Sequence, residues 1–409
     1  MSSRTRFLVF LVSTPLVVLV VVGGLLGAAR TAPQTGVRPL KVFEDAASLI
    51  FNYYVEDVNI DKVMDGAMRG LADGLDPASA YLTADEVKAI EANAPLPAGD
   101  VGLTLTKRFY LLVVSVRDNS PAQRAGLQTG DFIRAIGDSA SRDLSALSGM
   151  RMLHGAPGSV VKLLVIRGNA ADPHVIDLTR EAPKTDRASS SKVATGESIV
   201  RVSSFGDGAA AAIRTAVSSL GAAANGGIVI DLRGTSDGTP EEGIAAARLF
   251  VKTGVLATRA GRKPEDKVVT SAAAGDGALT MPVILMVSNG TANAAEVFAA
   301  ALADNKRATL VGEPTAGLAA VQRLIKLPEG QGLWMTYARY QLADGTTIHE
   351  RGLRPDAAVE IPVAGFDELT PARRDPTAPT SSSPQRPGAT TPEPDAVLAR
   401  ALVELHRRK

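Results

Sequence analysis

The stretch "VSNGTANAAEVFAAALADN", from Val287 to Asn305, decides the fold. It extends an apolar run, "MPVILMV" (Met281 to Val287), and opens into a helical pattern. A buried strand that turns sharply into a helix presents one side chain at the sheet edge. The free N–H groups of the helix N-terminus lie beside it, which makes such a turn a favoured seat for a catalytic nucleophile. This turn offers Thr291, Ala292, Asn293, Ala294 and Ala295. Its centre is an asparagine, a residue that also serves as a helix cap.

The same alternation extends outward from the turn. "SIVRVSSF" reads as a strand and "AAAAIRTAVSSLGAAA" as a helix. "GGIVIDLRG" is a buried strand, and "TPEEGIAAARLFV" a helix with a Thr-Pro start. "ATLVGEPT" and "LWMTYARYQLADGTTI" read as further strands. Strands alternating with helices imply a layered sheet covered by helices, here over 199–366. The chain closes with "DAVLARALVELHRRK", in which Val397, Leu398, Ala401, Leu402 and Leu405 form one apolar stripe. A helix over 395–409 is expected to dock back on the sheet. Between them, 367–394 is rich in Pro, Ser and Thr and reads as a disordered linker.

Upstream, 98–180 changes character. Strand-like runs ("VGLTLTKR", "YLLVVSV", "VVKLLVIR") alternate with turn-rich helical stretches, which suggests a compact, mostly β module. Residues 181–198 are polar without apolar periodicity and read as a linker. Residues 41–97 read as a helical segment: Asp76-Pro77 is a turn, and Thr83 with Glu86 forms a capping box. Residues 31–40 read as a linker. In 1–30, Arg4 and Arg6 precede an uncharged run from Phe7 to Ala29. At about 1.5 Å per residue this run spans a bilayer core of roughly 30 Å. It is expected to be a signal-anchor or a cleaved signal peptide. Both place the main body on the exported side of the membrane.

Composition excludes several chemistries. The 409 residues carry a net charge of +1, so no electrostatic case for nucleic acid arises. Cysteine is absent, which removes thiol nucleophiles, disulfides and cysteine metal sites. No metal-ligand spacing and no phosphate-cradling glycine loop is present, so no cofactor and no metal are expected. The four histidines, His154, His174, His349 and His406, are scattered, and none is near the turn in sequence.

Several segments carry a family resemblance. "SPAQRAGLQTGDFIRAIGD" (Ser120 to Asp138) and "GAPGSVVKLLVIR" (Gly155 to Arg167) resemble a PDZ domain of the type found in exported bacterial proteases. "LDPASAYL", "VIDLRGTSDGT", "NGTANAAEVFAAALADNKRATLVGEPTAG" and "YARYQLADGTTIHERGLRPD" resemble the carboxy-terminal processing, or tail-specific, serine peptidases. The resemblance implies a multidomain α/β protein: a crotonase-like α/β peptidase core, an N-terminal helical segment and an inserted PDZ domain. In the PDZ module it assigns Val101, Gly102, Leu103 and Thr104 to the loop and strand that take a peptide C-terminus as an added strand.

The family's chemistry uses a Ser–Lys dyad, with a neutral lysine taking the serine proton. Counting back from Glu296 puts the nucleophile position at Asn293. Counting from "LVGEPTAG" puts the base position at Leu318, while Gln322 matches the residue that positions the lysine. Backbone N–H groups of Gly238 and Ala294 correspond to the oxyanion hole, with Asp237 standing where the family has glycine. Ser288, Thr291 and Lys306 are nearby substitutes, and Thr291 lies two residues off the reacting position.

These matches imply an exported, membrane-anchored pseudopeptidase. It would bind protein or peptide C-termini without cleaving them, as a scaffold or regulator, with an active paralogous peptidase as a candidate partner. The alternatives are an active serine-type endopeptidase with a non-standard nucleophile, and a structural envelope protein whose PDZ groove is closed.

Overall fold

The computed structural model describes residues 37–92, 95–168, 173–183, 186–193, 195–360 and 395–408. The expected membrane segment (1–30) and the Pro/Ser/Thr-rich stretch (367–394) lie outside the described residues. Among the described residues, no helix is long and apolar enough to cross a membrane. The chain divides into two units, 1–68 and 69–409. Helix α1 (Val37–Tyr53) starts inside the stretch read as a linker to residue 40, and α2 (Ile60–Asp73) follows.

The expectation of a purely helical 41–97 is corrected in the second unit. Asp76 Oδ1 accepts the N–H groups of Ala78 (2.9 Å) and Ser79 (2.8 Å), which turns the chain into a short strand, β1 (Ala80–Leu82). Three residues are too few to show a period of two, so the strand is invisible in the pattern. Helix α3 (Ala84–Glu91) then starts at the expected capping box. The Thr83 side chain accepts from the Glu86 N–H, and Glu86 Oε2 accepts from the Thr83 N–H at 3.0 Å.

The β module comprises β2 (Leu103–Lys107), β3 (Leu111–Val116), the single-turn α4 (Pro121–Arg124), β4 (Phe132–Ile136) and β5 (Ser139–Ala140). Helix α5 (Ala146–Leu153), β6 (Val160–Ile166) and β7 (His174–Thr179) complete it. Its sheet runs β2-β3-β4-β6-β7, so β2 is an edge strand. Leu103, Leu105, Leu111, Val113, Ile133, Leu163 and Val165 fill its own core. A buried pair, Arg167 to Asp131 (2.6 and 2.7 Å), ties the end of β6 to the start of β4.

The segment 181–198, expected to be a linker, contains β8 (Ala188–Lys192). It pairs antiparallel with β9 (Ser198–Val202) at the rim of the main sheet. Its serines gain little from burial. The strand forms because its backbone completes a ladder at an open edge, a tertiary cause that polar composition hides.

The chain continues through α6 (Ala209–Ser219), β10 (Ile228–Asp231), α7 (Pro240–Ala247), β11 (Val255–Gly261), β12 (Val268–Ser271) and β13 (Val283–Val287). Then come α8 (Ala294–Asp304), β14 (Ala308–Gly312), β15 (Ala320–Lys326), β16 (Gly332–Gln341), β17 (Ala357–Ala358) and α9 (Ala396–Arg407). The order β17-β14-β13-β10-β9-β8 is parallel except at β8. Parallel strands buried on both faces need continuous apolar runs, and all of Val283–Val287 is buried. Side chains alternate between faces. Ile228, Ile230, Val283 and Leu285 pack toward α6, α7 and α8, with Phe205, Phe250 and Phe298 among them. Val229, Ile284 and Met286 face the other way, onto Val397, Ala401 and Leu405 of α9. The C-terminal helix therefore covers the back of the sheet. A second, antiparallel sheet runs β1-β16-β11-β12, with β15 beside β16.

Candidate functional site

Strand β13 ends at Val287, and the chain must reverse within six residues to start α8. The turn is tied internally. Ser288 Oγ accepts the N–H groups of Gly290 (3.2 Å) and Gly234 (3.3 Å). Thr291 Oγ1 donates to the Leu232 carbonyl (2.8 Å) and accepts from the Ser288 N–H (3.1 Å). Ala292 N–H reaches the Thr235 carbonyl at 2.9 Å. The Thr291 hydroxyl, considered as a substitute nucleophile, is thus spent on holding the turn, and Ser288 Oγ braces it as an acceptor. Lys306 is exposed beyond the far end of α8.

Asn293 sits at φ 52° and ψ −119°, outside the helical and extended regions and strained for a non-glycine residue. This is the sharp strand-to-helix bend expected where a nucleophile is displayed. Asn293 is the N-cap residue of α8, as read from the sequence, but it caps through its backbone. Its amide makes no capping hydrogen bond, and the N–H of Glu296 goes to the Asn293 backbone carbonyl at 3.0 Å. The cap runs the other way: Glu296 Oε2 accepts the Asn293 N–H at 3.0 Å.

Glu296 is the centre of the site, a role the sequence reading missed by using it only as an alignment anchor. It is completely buried. Besides Asn293 it accepts from Thr315 Oγ1 (2.5 Å), Gly317 N–H (2.6 Å) and Leu318 N–H (2.8 Å). One carboxylate therefore joins the nucleophile position to the base position. Burial pushes its carboxyl up to about 7, against these donors, which favour the ionised form. Leu318 is oriented through its backbone. Gln322 lies four residues on in β15 and donates from Nε2 to Thr336 Oγ1 at 3.2 Å.

Of the expected oxyanion-hole residues, Ala294 opens α8 directly after Asn293, and Gly238 packs on Phe205. Gly238 has φ 109°, and a Cβ there would lie 2.0 Å from the Phe205 carbonyl carbon. Only glycine fits between the Phe205 strand end and α7. The N–H groups of Gly238 and Ala294 donate to no acceptor among the described residues. Gly243 of α7 packs on Ala294, where a Cβ would meet the Ala294 carbonyl oxygen at 2.5 Å. Asp237 is exposed and accepts from Ser204 Oγ at 2.9 Å.

The β module is clamped against this region. Ser236 Oγ bonds Thr104 Oγ1 (2.7 Å) and the Ser115 hydroxyl. Arg201 Nε pairs with Asp118 at 2.8 Å. Gly290 packs under the Val114 carbonyl, where a Cβ would come within 3.0 Å. A cavity of about 970 Å³ opens along this junction. Its walls include Leu112, Val113 and Val114 of β3, the Gly312–Leu318 loop, and His349. Leu318 lines it; Asn293 does not.

Of the residues expected to receive a peptide terminus, Val101, Gly102 and Leu103 are buried, and Thr104 is engaged by Ser236. Gly102 has φ 79°, and a Cβ there would lie 2.2 Å from Ser120 Cβ. The open edge of β2 faces α5, and the Leu105 N–H that an added strand would use meets Met150 Sδ at 3.2 Å. Met150→Leu keeps the volume and removes this acceptor. It should tighten binding of a free-acid C-terminal peptide by roughly fivefold to tenfold in an anisotropy titration. Unchanged affinity would show that the thioether does not compete.

Residues 198–359 match the family model Peptidase family S41, and residues 112–167 match a PDZ domain. The chain carries an S41 peptidase core and a PDZ domain. It is similar to the carboxy-terminal processing protease CtpA of Bacillus subtilis (strain 168), at 27% identity over 337 residues. That match covers 81% of this chain and 72% of that protein. A carboxy-terminal-processing protease of Bartonella bacilliformis is 29% identical over 335 residues, covering 81% and 77%. Among solved structures, the photosystem II D1 C-terminal processing protease superposes with a TM-score of 0.64 at 25% identity. It covers 78% of this chain and 92% of that one. The S41 core is the two-sheet unit built around Glu296, and the PDZ domain is the β module clamped to it.

Proposed function

We propose that the protein binds polypeptide C-termini through its PDZ domain, holds them against the S41 core and does not cut them. The observation that carries this is the pairing of Asn293 and Leu318. An amide is not a useful nucleophile, and a leucine accepts no proton. The turn and the base loop are nonetheless still joined by Glu296. In the reading of an active enzyme with a substitute nucleophile, Thr291 would have to release its bond to Leu232 and move two residues along the turn. A displacement of even about 1 Å costs on the order of 100-fold in rate. Export, membrane attachment through the N-terminal segment and partnership with an active paralogue belong to the same proposal. They rest on the uncharged run from Phe7 to Ala29 and on the lost dyad.

The test pairs binding with chemistry. Pure protein should bind a fluorescein-labelled free-acid peptide, take no label from a serine-directed phosphonate, and leave a tail-bearing reporter intact. Reporter cleavage that disappears on Thr291→Val or Ser288→Ala would overturn the proposal in favour of the active enzyme. The absence of any peptide binding would favour a structural role.

A further inference from the structure

The antiparallel sheet carries a second cavity, of about 540 Å³, which shares no lining residue with the one at the PDZ junction. Three segments converge on it: the end of β11, the second half of β16 and the loop that follows β16. Each brings an arginine, Arg262, Arg339 and Arg351, and no lining residue is a carboxylate. Arg262 and Arg351 are exposed, and their side chains have no hydrogen-bond or ion-pair partner among the described residues. Arg339 reaches Glu350 at 3.7 Å, a long pair between two half-exposed side chains. Tyr337 also lines the cavity, and two further guanidiniums lie against its ring. Arg323 is 5.0 Å from the ring centre and Arg259 5.9 Å. The nearby carboxylates cap their own turns: Asp344 accepts the Thr346 N–H at 2.8 Å, and Asp266 accepts the Lys263 N–H at 3.2 Å.

We propose that this cavity receives the acidic side chains of a bound polypeptide, whose Asp and Glu carboxylates pair with Arg262, Arg339 and Arg351. This rests on the reading of the protein as a holder of polypeptide, and adds a charge preference to it. Five guanidiniums gathered at one place repel one another, and the chain as a whole carries only +1, so the excess is local. An anionic ligand relieves that repulsion. A guanidinium meets a carboxylate in a planar fork of two parallel hydrogen bonds, and two of the three lining arginines have that fork free. Size favours a chain segment over a small ion. The cavity lies within the roughly 300–1,000 Å³ of sites that enclose a drug-sized molecule, far more than the five heavy atoms of a phosphate fill. The rest of the lining includes the Thr336 and Thr346 hydroxyls and the Gln341 amide, groups that suit a peptide backbone. Position ties the cavity to the site already described. Thr336 Oγ1 accepts from Gln322 Nε2, and Arg339 pairs in register with Ala320, two residues past Leu318. Three glutamates and one arginine line the junction cavity, whereas three arginines and no acid line this one, so an acidic segment is steered here.

The test titrates the full chain with fluorescein-labelled decapeptides that end in Ala-Val-Val. One carries alternating Glu and is amidated, one carries Gln in place of Glu and is amidated, and one is the Gln peptide with a free C-terminus. Amidation removes the carboxylate that a PDZ groove reads, so the amidated pair reports the arginine cavity and the free-acid peptide reports the PDZ domain. At low salt the amidated Glu peptide is expected to bind at least about tenfold more tightly than its Gln counterpart, and the gap is expected to close as salt rises. Arg262→Gln with Arg351→Gln is expected to weaken the Glu peptide about tenfold and to leave the free-acid Gln peptide within about twofold. Neither arginine has a partner to lose, so the melting temperature of this variant is expected to match wild type. Lys263→Gln with Lys267→Gln removes the same charge from side chains that do not line the cavity, and all affinities are expected to stay within about twofold. Equal affinity for the two amidated peptides overturns the proposal, as does an equal loss in the arginine and lysine variants. Phosphatidylglycerol vesicles that bind through Arg262 and Arg351, with no binding of the amidated Glu peptide, overturn it in favour of a membrane surface. Binding of the Glu peptide without binding of the free-acid Gln peptide leaves the arginine site standing and removes the C-terminus reading.

Discussion

Asn293→Ser combined with Leu318→Lys is expected to cut a tail-bearing reporter that the unmodified protein leaves intact. Each single variant is expected to remain at the baseline. The scaffold argument is specific. The turn at residue 293 already holds φ 52° and ψ −119°, so a serine there inherits the strained bend instead of having to create it. The Leu318 backbone is pinned to the same carboxylate as the Asn293 backbone, so the two introduced side chains start from linked positions. Gln322 stands four residues past the new lysine. The N–H groups of Gly238 and Ala294 are undonated among the described residues. A base acting on a positioned hydroxyl contributes on the order of 10²–10⁴-fold, and neither partner contributes without the other. The gain is read as reporter cleavage, with phosphonate labelling of the hydroxyl introduced by Asn293→Ser as confirmation. A double variant that folds, binds peptide and stays inert would show that more than the dyad has been lost. Asp237 is then the residue to examine, since a carboxylate near a developing oxyanion opposes it.

Glu296→Ala should be the most damaging single substitution in the core. It strips the acceptor from four donors at once, one hydroxyl and three backbone N–H groups, two of the four (Thr315 and Gly317) buried and two part-buried. Leaving such groups unpaired is expected to cost on the order of 3–5 kcal/mol, measured by denaturant unfolding. The pH dependence is a sharper check. Burial raises the folded carboxyl from 4.5 to about 7. Between those values the folded state binds more proton than the unfolded state. The contribution to stability is therefore full below about 4.5 and is lost as pH rises through about 7. The shift corresponds to about 3 kcal/mol. Glu296→Gln should be less stable than wild type at pH 5 and should flatten the profile between pH 5 and 7. A wild-type profile that is already flat there would refute the protonation of Glu296.

Much of the architecture was legible because it is periodic. The five-residue run Val283–Val287, the apolar α8 and the α9 stripe each announce a buried element, and the capping box at Thr83 and Glu86 marks a helix start. The short or polar elements were not. β1 is three residues long, and β8 is mostly serine; both exist because a neighbouring strand offers unpaired backbone. The site divides in the same way. Asn293 and Leu318 could be found by counting from Glu296 and Gln322. That Asn293 caps through its backbone, that Thr291 is locked onto Leu232, and that Ser236 grips Thr104 could not be counted. The last two join segments far apart in sequence.

The sequence by itself determined which reacting groups this protein has and lacks, because the identity of a side chain needs no coordinates. The tertiary structure alone decided what those positions are connected to. One buried carboxylate binds the 293 turn to the 318 loop, and one buried imidazole, 31 positions past Leu318, reaches the same cavity wall. Hydrogen bonds and burial depend on distances that only packing sets. A residue the sequence left as an alignment anchor, Glu296, thus becomes in the folded chain the one that joins the turn to the loop.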